Sequence, residues 1–175
     1  MWDKSQTIRR LAAGCTAVVL AGAVAFSVSA QTAAGPPAGR RAIEAGRRAI
    51  EARKAIYTLL DTYFGPLGNV VKGSTQYNEA EVQKRVVRVA FLANVLSFNE
   101  SYPDVSNLGK AETKAKPDVW ANRSDFEKKL KDFQDHVASL VQVNATEKGA
   151  TDAFKAAVNA VAQDCKGCHD SFRAE

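Results

Sequence analysis

Four segments of this chain place their apolar residues at spacings of three and four, which is typical of helices buried along one side. The clearest seams are Val82, Val86, Val89, Ala93 and Leu96; Phe126, Leu130, Phe133, Val137 and Leu140; and Phe154, Val158, Val161, Cys165, Cys168 and Phe172. No segment has the sustained alternation of period two that a β-strand requires. The sequence therefore predicts an all-α fold, an antiparallel four-helix bundle.

The first helical segment contains an internal duplication. Residues 40–46 (RRAIEAG) are nearly repeated at residues 47–53 (RRAIEAR). The stripe predicted from this step of seven is Ile43, Ile50, Tyr57 and Phe64. Gly65 and Pro66 follow the stripe, and this pair is typical of a helix end, so the first helix is expected to stop there.

Helix starts and loops also have local signals. Asn78 with Glu81 predicts a capping box at the start of the second helix, and Ser124 with Glu127 predicts one at the start of the third. Residues 97–117 contain two prolines and a glycine, which favours a loop between these helices.

The N-terminus is typical of an exported protein. Basic residues up to Arg10 precede a nearly unbroken apolar run, which ends in small residues at Ala30. This pattern predicts a secretory signal peptide over residues 1–30, cleaved after Ala30. The alternative is a retained membrane anchor, since about 20 apolar residues can span a bilayer. Residues 31–39 are predicted to be a flexible leader, and residues 40–175 the helical domain.

Charge excludes one class of partner. The formal charge is +5, and residues 1–30 hold three basic side chains and one acidic, so +3 remains after cleavage. Both signs are interspersed along the rest of the chain, and no basic stripe alternates with aromatic residues. Nucleic-acid binding is therefore not expected.

The chemistry of the chain is concentrated in one motif. Cys165, Lys166, Gly167, Cys168 and His169 form a C-x-x-C-H sequence, which holds two of the 3 cysteines. Two thiols one helical turn apart can form thioethers with the two vinyl groups of a haem, and the next imidazole can then ligate iron. The motif predicts one haem c attached through Cys165 and Cys168, with His169 as the metal ligand.

Other roles for these residues fit less well. A disulfide oxidoreductase would place the C-x-x-C pair at a helix N-terminus, and this pair lies near a helix end. A structural zinc site needs four ligands at finger spacing, which the chain does not offer. A simple disulfide would leave His169 and the apolar seam unexplained.

The sixth position of the iron decides the function, because a second strong ligand gives an electron carrier and an open position gives a ligand-binding protein. The single methionine, Met1, leaves with the signal peptide. His136 is the other histidine, and it lies off the apolar seam, so it is expected to be exposed. Lysine ligates only after costly deprotonation. The iron is therefore expected to be mainly five-coordinate.

Three further residues are candidates for the site. Arg53 and Tyr57 lie one turn apart on the first helix, so they can contact the same cofactor. A buried arginine needs an anionic partner, and haem propionates would supply one. The alternatives are that Arg53 reaches water and that Tyr57 is ordinary core. Arg173 lies one turn after His169 and is expected beside its imidazole, or to complement the helix dipole.

The sequence resembles the cytochrome c prime family, the class II c-type cytochromes, over about residues 49–173. The residues that carry the resemblance are Ala49 to Arg53, Thr58-Leu59, Phe64-Gly65, Val70 to Gly73, Tyr77, Pro117, Trp120, Phe133 to Asp135, and Cys165 to Arg173. The resemblance implies a periplasmic haemoprotein, usually a homodimer, whose high-spin five-coordinate haem binds nitric oxide and carbon monoxide but discriminates against dioxygen.

The resemblance also assigns roles to residues. It implies that His169 is the proximal ligand, that Tyr57 faces the open side of the iron, that Arg53 lies near the propionates and that Arg173 lies beside His169. We expect a non-enzymatic gas-binding protein that acts in nitric oxide scavenging or tolerance, with no membrane contact after signal removal. The alternative is a periplasmic electron carrier with a redox partner protein. A haem enzyme is a weaker third candidate, because no distal His/Arg acid–base pair is present.

Overall fold

The computed structural model describes residues 38–108 and 112–175. The helices in these residues are α1 (Ala38–Val71), α2 (Glu79–Val95), α3 (Phe98–Ser101), α4 (Asp118–Ala121), α5 (Arg123–Thr146) and α6 (Asp152–Phe172), with a short 3-10 turn at Asp104–Ser106. The predicted signal peptide and residues 31–37 of the predicted leader lie outside the described residues. Ala38 and Gly39, the last two leader positions, belong to α1.

The four long helices α1, α2, α5 and α6 form the antiparallel four-helix bundle, which confirms the predicted fold. Helices α2, α5 and α6 contribute their predicted seams to the bundle interior, and α1 contributes Ile50, Leu60, Leu67 and Val70. Burying such an apolar face is what stabilises an amphipathic helix. The core side chains that are least exposed include Leu67, Val86, Val89, Leu140, Phe154 and Val161. Within the described residues, none of the helices combines the length and the apolar character needed to cross a membrane.

The predicted end of α1 at Gly65 is wrong, since the helix continues through Pro66 to Val71. A proline inside a helix removes one hydrogen bond and costs about 3 kcal/mol. Burial offsets that cost, because Leu67 and Val70 beyond it pack into the core. Gly73, two residues after the end of α1 at Val71, has a φ of 72°, which is favourable for glycine. There the amides of Gly73 and Ser74 donate to the carbonyls of Val70 and Asn69, which is a Schellman motif.

The predicted stripe of α1 is only partly buried. Ile43 is 50% exposed, so the first heptad does not continue the apolar seam as expected. The buried position of that heptad is Gly46, where α1 passes close to the 3-10 turn. A Cβ built on Gly46 would lie 2.0 Å from the carbonyl oxygen of Val105.

One predicted cap is confirmed and the other is wrong. The Asn78 side chain accepts a hydrogen bond from the amide of Glu81 at 3.0 Å, as the capping box predicts. The third long helix, α5, begins one residue before Ser124, with Asn122 as its N-cap and no side-chain capping bond. Glu127 instead accepts hydrogen bonds from the side chain of Arg123 on the same helix.

The predicted loop of residues 97–117 has more structure than expected, since it contains α3 and the 3-10 turn. Its end is fixed to the C-terminus of α6. The Lys116 amide donates to the Phe172 carbonyl at 2.9 Å, and the Ala174 amide donates to the Lys114 carbonyl at 2.8 Å. This short pairing places residues 114–116 beside the last turn of α6.

Candidate functional site

The motif residues lie on the last two turns of α6. Thr151 is the N-cap of the helix, and its side chain accepts from the Phe154 amide. The buried seam of the helix runs along the bundle core. That seam leads to Cys165 and Cys168, which are both half-buried, while His169 is exposed. The helix therefore presents two thiols and one imidazole together at its C-terminal end.

These side chains form part of the wall of one cavity of about 890 Å³, which lies among α1, α5, α6 and the segment that precedes α4. Its volume is in the range of cofactor pockets. The six residues singled out from the sequence all line it: Arg53, Tyr57, Cys165, Cys168, His169 and Arg173. Apolar side chains supply much of the remaining wall, among them Leu60, Phe64, Leu130, Phe133 and Phe172.

The two thiols have the properties of protonated, unpaired cysteines. Cys165 and Cys168 do not form a disulfide. Burial, with a contribution from the negative charge of Asp164, raises the pKa of Cys165 to about 11, and burial also raises the pKa of Cys168. A redox-active C-x-x-C pair requires the opposite shift. The described residues contain no group of three or more metal-binding side chains, so the zinc alternative has no ligand set there.

His169 has the protonation state that a metal ligand needs. Partial burial and then the positive charge of Arg173 lower the pKa of His169, and Asp170 opposes them. The imidazole is therefore neutral at physiological pH, and a neutral nitrogen can donate its lone pair to iron. Arg173 lies in the cavity wall and caps α6 by donating its amide to the His169 carbonyl at 3.1 Å.

Arg53 is buried, with 2% of its surface exposed, so the alternative that it reaches water is wrong. Its guanidinium donates to the Ser101 carbonyl at 3.1 Å and to the hydroxyls of Ser106 and Thr113 at 2.9 Å. Burial lowers the pKa of Arg53, yet arginine stays charged in proteins. Because these acceptors are neutral, the guanidinium remains a buried cation that fits an anionic group such as a propionate.

Tyr57 hydrogen-bonds to Tyr102 in the cavity wall, with the two hydroxyl oxygens 3.0 Å apart. Burial raises the pKa of Tyr57 well above its usual value, so the phenol keeps its proton. Tyr102 was not predicted as a site residue, because it lies in the predicted loop, where no helical periodicity indicates which side chains are buried. Trp120, one of the residues that carry the resemblance, lies on α4, and its indole donates to the Tyr102 carbonyl at 3.0 Å.

His136 is exposed, as predicted, with 47% of its side chain accessible. Its Nδ1 lies 2.7 Å from a carboxylate oxygen of Asp164, the residue before Cys165. His136 is not part of the cavity wall, whereas Asp164 is. The second histidine is therefore held on the outer surface of α5, away from the cavity side of His169.

The cavity fits a covalently attached haem. It offers two thiols one turn apart, a neutral imidazole beside them, a largely apolar wall and a buried cation. The fold and the site together define the class of protein: a four-helix bundle with a c-type haem near the C-terminus of its last helix.

Comparisons with known proteins identify the family within that class. The family model described as Cytochrome C' matches residues 48–173. The cytochrome c′ of Alcaligenes xylosoxydans xylosoxydans is 31% identical over 121 residues, which is 69% of this chain and 89% of that protein.

Solved structures are similar over the same region. Cytochrome c prime from Shewanella frigidimarina has a TM-score of 0.67 at 29% identity, covering 74% of this chain and 97% of that chain. A nitric oxide complex of a mutant cytochrome c prime from Alcaligenes xylosoxidans has a TM-score of 0.63 at 27% identity, with coverages of 74% and 97%. The chain belongs to the cytochrome c prime family. Its cofactor is haem c, attached through Cys165 and Cys168.

Proposed function

We propose that this protein binds nitric oxide and carbon monoxide at a five-coordinate, high-spin haem and acts in nitric oxide scavenging or tolerance. One observation carries the proposal. Within the described residues, the cavity wall holds His169 but no second histidine and no methionine. The iron then has one protein ligand, and its open position supplies the site for a diatomic gas.

The chain's own residues give the cavity its selectivity. Apolar side chains such as Leu60 and Phe64 offer a bound gas few hydrogen bonds. Dioxygen needs such bonds to stabilise its partial negative charge, and nitric oxide binds strongly without them. Arg53 holds the propionates and Arg173 lies beside the proximal imidazole. The nitric oxide complex of the Alcaligenes xylosoxidans relative supports the same ligand for this chain.

The proposal includes a compartment and an oligomeric state. Residues 1–30 direct export to the periplasm, residues 31–37 form a leader and the helical domain that begins at Ala38 is a non-enzymatic haemoprotein. The protein is a homodimer, which an apolar stripe on α2 supports. Val87, Phe91 and Val95 lie one turn apart on α2 and are 53%, 67% and 38% exposed, and apolar patches of this kind are typical of interfaces.

Electron transfer is the second candidate, and one observation favours it. His169 is exposed and the thiols are half-buried, so the cofactor edge would be accessible to a redox partner protein. Stopped-flow reduction by candidate periplasmic donors separates the two functions. Fast, reversible exchange supports the carrier, and slow exchange with rapid gas binding supports the gas-binding protein.

Optical spectra of the purified holoprotein test the main proposal. Oxidised and dithionite-reduced samples should show high-spin haem, and the reduced sample should change when carbon monoxide or nitric oxide is added. A fully low-spin spectrum that does not respond to either gas would contradict the proposal, because it would show that an internal ligand fills the sixth position.

A further inference from the structure

Tyr102 contributes a hydroxyl to the cavity wall from outside the four-helix bundle. It lies just after α3, in the segment between α2 and α5, and its hydroxyl is 3.0 Å from that of Tyr57 on α1. Both tyrosines line the cavity that holds the thiols and His169. Tyr57, which the proposed function places beside the bound gas, is therefore bonded to a residue on a different element.

The position of Tyr102 is fixed on both sides of its backbone and on its ring. On one side the guanidinium of Arg53 donates to the carbonyl of Ser101, and on the other the indole of Trp120 donates to the carbonyl of Tyr102 itself. The Tyr102 ring packs against Phe126 with centroids 4.7 Å apart, and the guanidinium carbon of Arg53 lies 4.7 Å from the ring centre. The Tyr102 hydroxyl is thus a rigid partner for Tyr57.

The surroundings determine which phenol donates. Tyr102 is 6% exposed, and within the described residues Tyr57 is the one hydrogen-bond partner of its hydroxyl. Whichever phenol donates, the other keeps a proton that needs an acceptor, so the unpaired proton alone does not decide the direction of the bond. The positive charge of Arg53 over the Tyr102 ring decides it, because a nearby cation makes the Tyr102 hydroxyl the better donor. When Tyr102 donates, the proton of Tyr57 is free to point elsewhere.

We propose that Tyr102 is a positioning residue that fixes the Tyr57 hydroxyl as a single directed hydrogen-bond donor to the gas bound in the cavity. This inference rests on the proposed function, since it requires a gas beside Tyr57. It adds one hydrogen-bond donor to an otherwise apolar wall, and this donor limits the discrimination against dioxygen that the apolar side chains provide. Tyr57 makes the bond to the ligand, and Tyr102 sets the direction of that bond.

Infrared spectroscopy of the carbon monoxide complex of the reduced holoprotein tests the inference. A hydrogen-bond donor polarises bound carbon monoxide and weakens its C–O bond, so Tyr57→Phe should raise the C–O stretching frequency. Tyr102→Phe keeps the packed ring but frees the Tyr57 hydroxyl to rotate. It should shift the band in the same direction, or split it into several bands, and the double variant should match Tyr57→Phe alone.

A control and an unmutated sample complete the experiment. Tyr77→Phe removes a phenol whose ring packs edge-on against Phe154 outside the cavity wall, and it should leave the band unchanged. In the wild-type protein, exchange into D₂O should shift the band, which tests the donor even if a variant fails to fold.

The outcomes separate the inference from the proposed function. Failure of the wild-type protein to bind carbon monoxide would contradict the proposed function. Binding with no shift in D₂O or in Tyr57→Phe would overturn the donor role of Tyr57. If Tyr57→Phe shifted the C–O band but Tyr102→Phe kept a single band at the wild-type frequency, the positioning role of Tyr102 would be overturned.

Discussion

Gly46 and Arg53 occupy the same position in the two copies of the duplicated heptad of α1, and both are buried against the segment between α2 and α5. It is the one position at which the two copies differ. Gly46 allows the backbone of that segment to approach α1 at Val105, and the guanidinium of Arg53 donates a hydrogen bond to the Ser106 hydroxyl of the same segment. The difference between the copies therefore fits α1 to a segment that also lines the haem cavity.

Substitution of Gly46 by alanine should destabilise the protein, although alanine favours helices. The added Cβ would lie 2.0 Å from the Val105 carbonyl oxygen, so the 3-10 turn must move away from α1. Such overpacking typically costs about 1–3 kcal/mol. Gly68→Ala is the matched control, since nothing lies within 4 Å of its Cβ, and it should stabilise α1 by up to about 1 kcal/mol. Denaturant unfolding measures both, and equal effects would contradict the close approach.

Substitution of Arg53 by methionine should cost about 3 kcal/mol of unfolding free energy. It keeps much of the side-chain volume but leaves the acceptors at Ser101, Ser106 and Thr113 without their donor. Arg48→Met is the control on the same helix, where the side chain is 77% exposed and pairs with Glu44. Exposed pairs contribute about 0–1 kcal/mol, so the control should change little. A similar small loss in both variants would show that the Arg53 bonds do not hold the segment.

Substitution of Phe91 by lysine should convert the proposed homodimer to a monomer. The side chain is 67% exposed at the middle of the α2 stripe, and a charge there would be buried unpaired in an interface. Val105→Lys introduces the same charge at a position that is 42% exposed and outside the stripe, so it should leave the dimer intact. Analytical ultracentrifugation reports the mass of each variant. A monomeric wild-type protein, or a dimeric Phe91→Lys variant, would contradict this assignment.

Alkaline stability should depend on Tyr57. Burial raises the pKa of Tyr57 well above its usual value, and the neighbouring Tyr102 acts in the same direction. In the unfolded chain a tyrosine ionises near pH 10, so above that pH the unfolded state has lost a proton that the folded state still holds. The free energy of unfolding therefore falls as the pH rises.

Tyr57→Phe removes that ionisation and should lose less stability than the wild-type protein between about pH 8 and about pH 11. Denaturant unfolding at the two pH values gives the comparison. Tyr77→Phe controls for the loss of one phenol elsewhere in the chain. If Tyr57→Phe and the wild-type protein declined equally, the Tyr57 phenol would not be held in its protonated form by the fold.

Local patterns predicted much of the bundle. The seams of α2, α5 and α6 follow from the helical period, and the Asn78 cap follows from four consecutive residues. The end of α1 could not be predicted from such patterns, because Gly65 and Pro66 are a local stop signal that the burial of Leu67 overrides. The effective stop is Gly73, where a left-handed backbone and a Schellman motif coincide.

The site shows the same division. One five-residue motif contains Cys165, Cys168 and His169, so their chemistry could be predicted from the motif alone. Arg53 was noticed because a charged residue lay on an apolar seam, but its three neutral partners come from a segment without any period. Tyr102 had no signal in the sequence, since its role depends on Tyr57, which is 45 positions away.

The backbone pairing between residues 114–116 and the end of α6 has a practical consequence for protein engineering. Two residues separate Arg173, which lines the cavity, from any polypeptide fused after Glu175, so an affinity tag there would begin close to the cavity wall. The turn between α5 and α6 lies at the opposite end of a 21-residue helix, about 30 Å away. A label attached in that turn keeps clear of the cofactor.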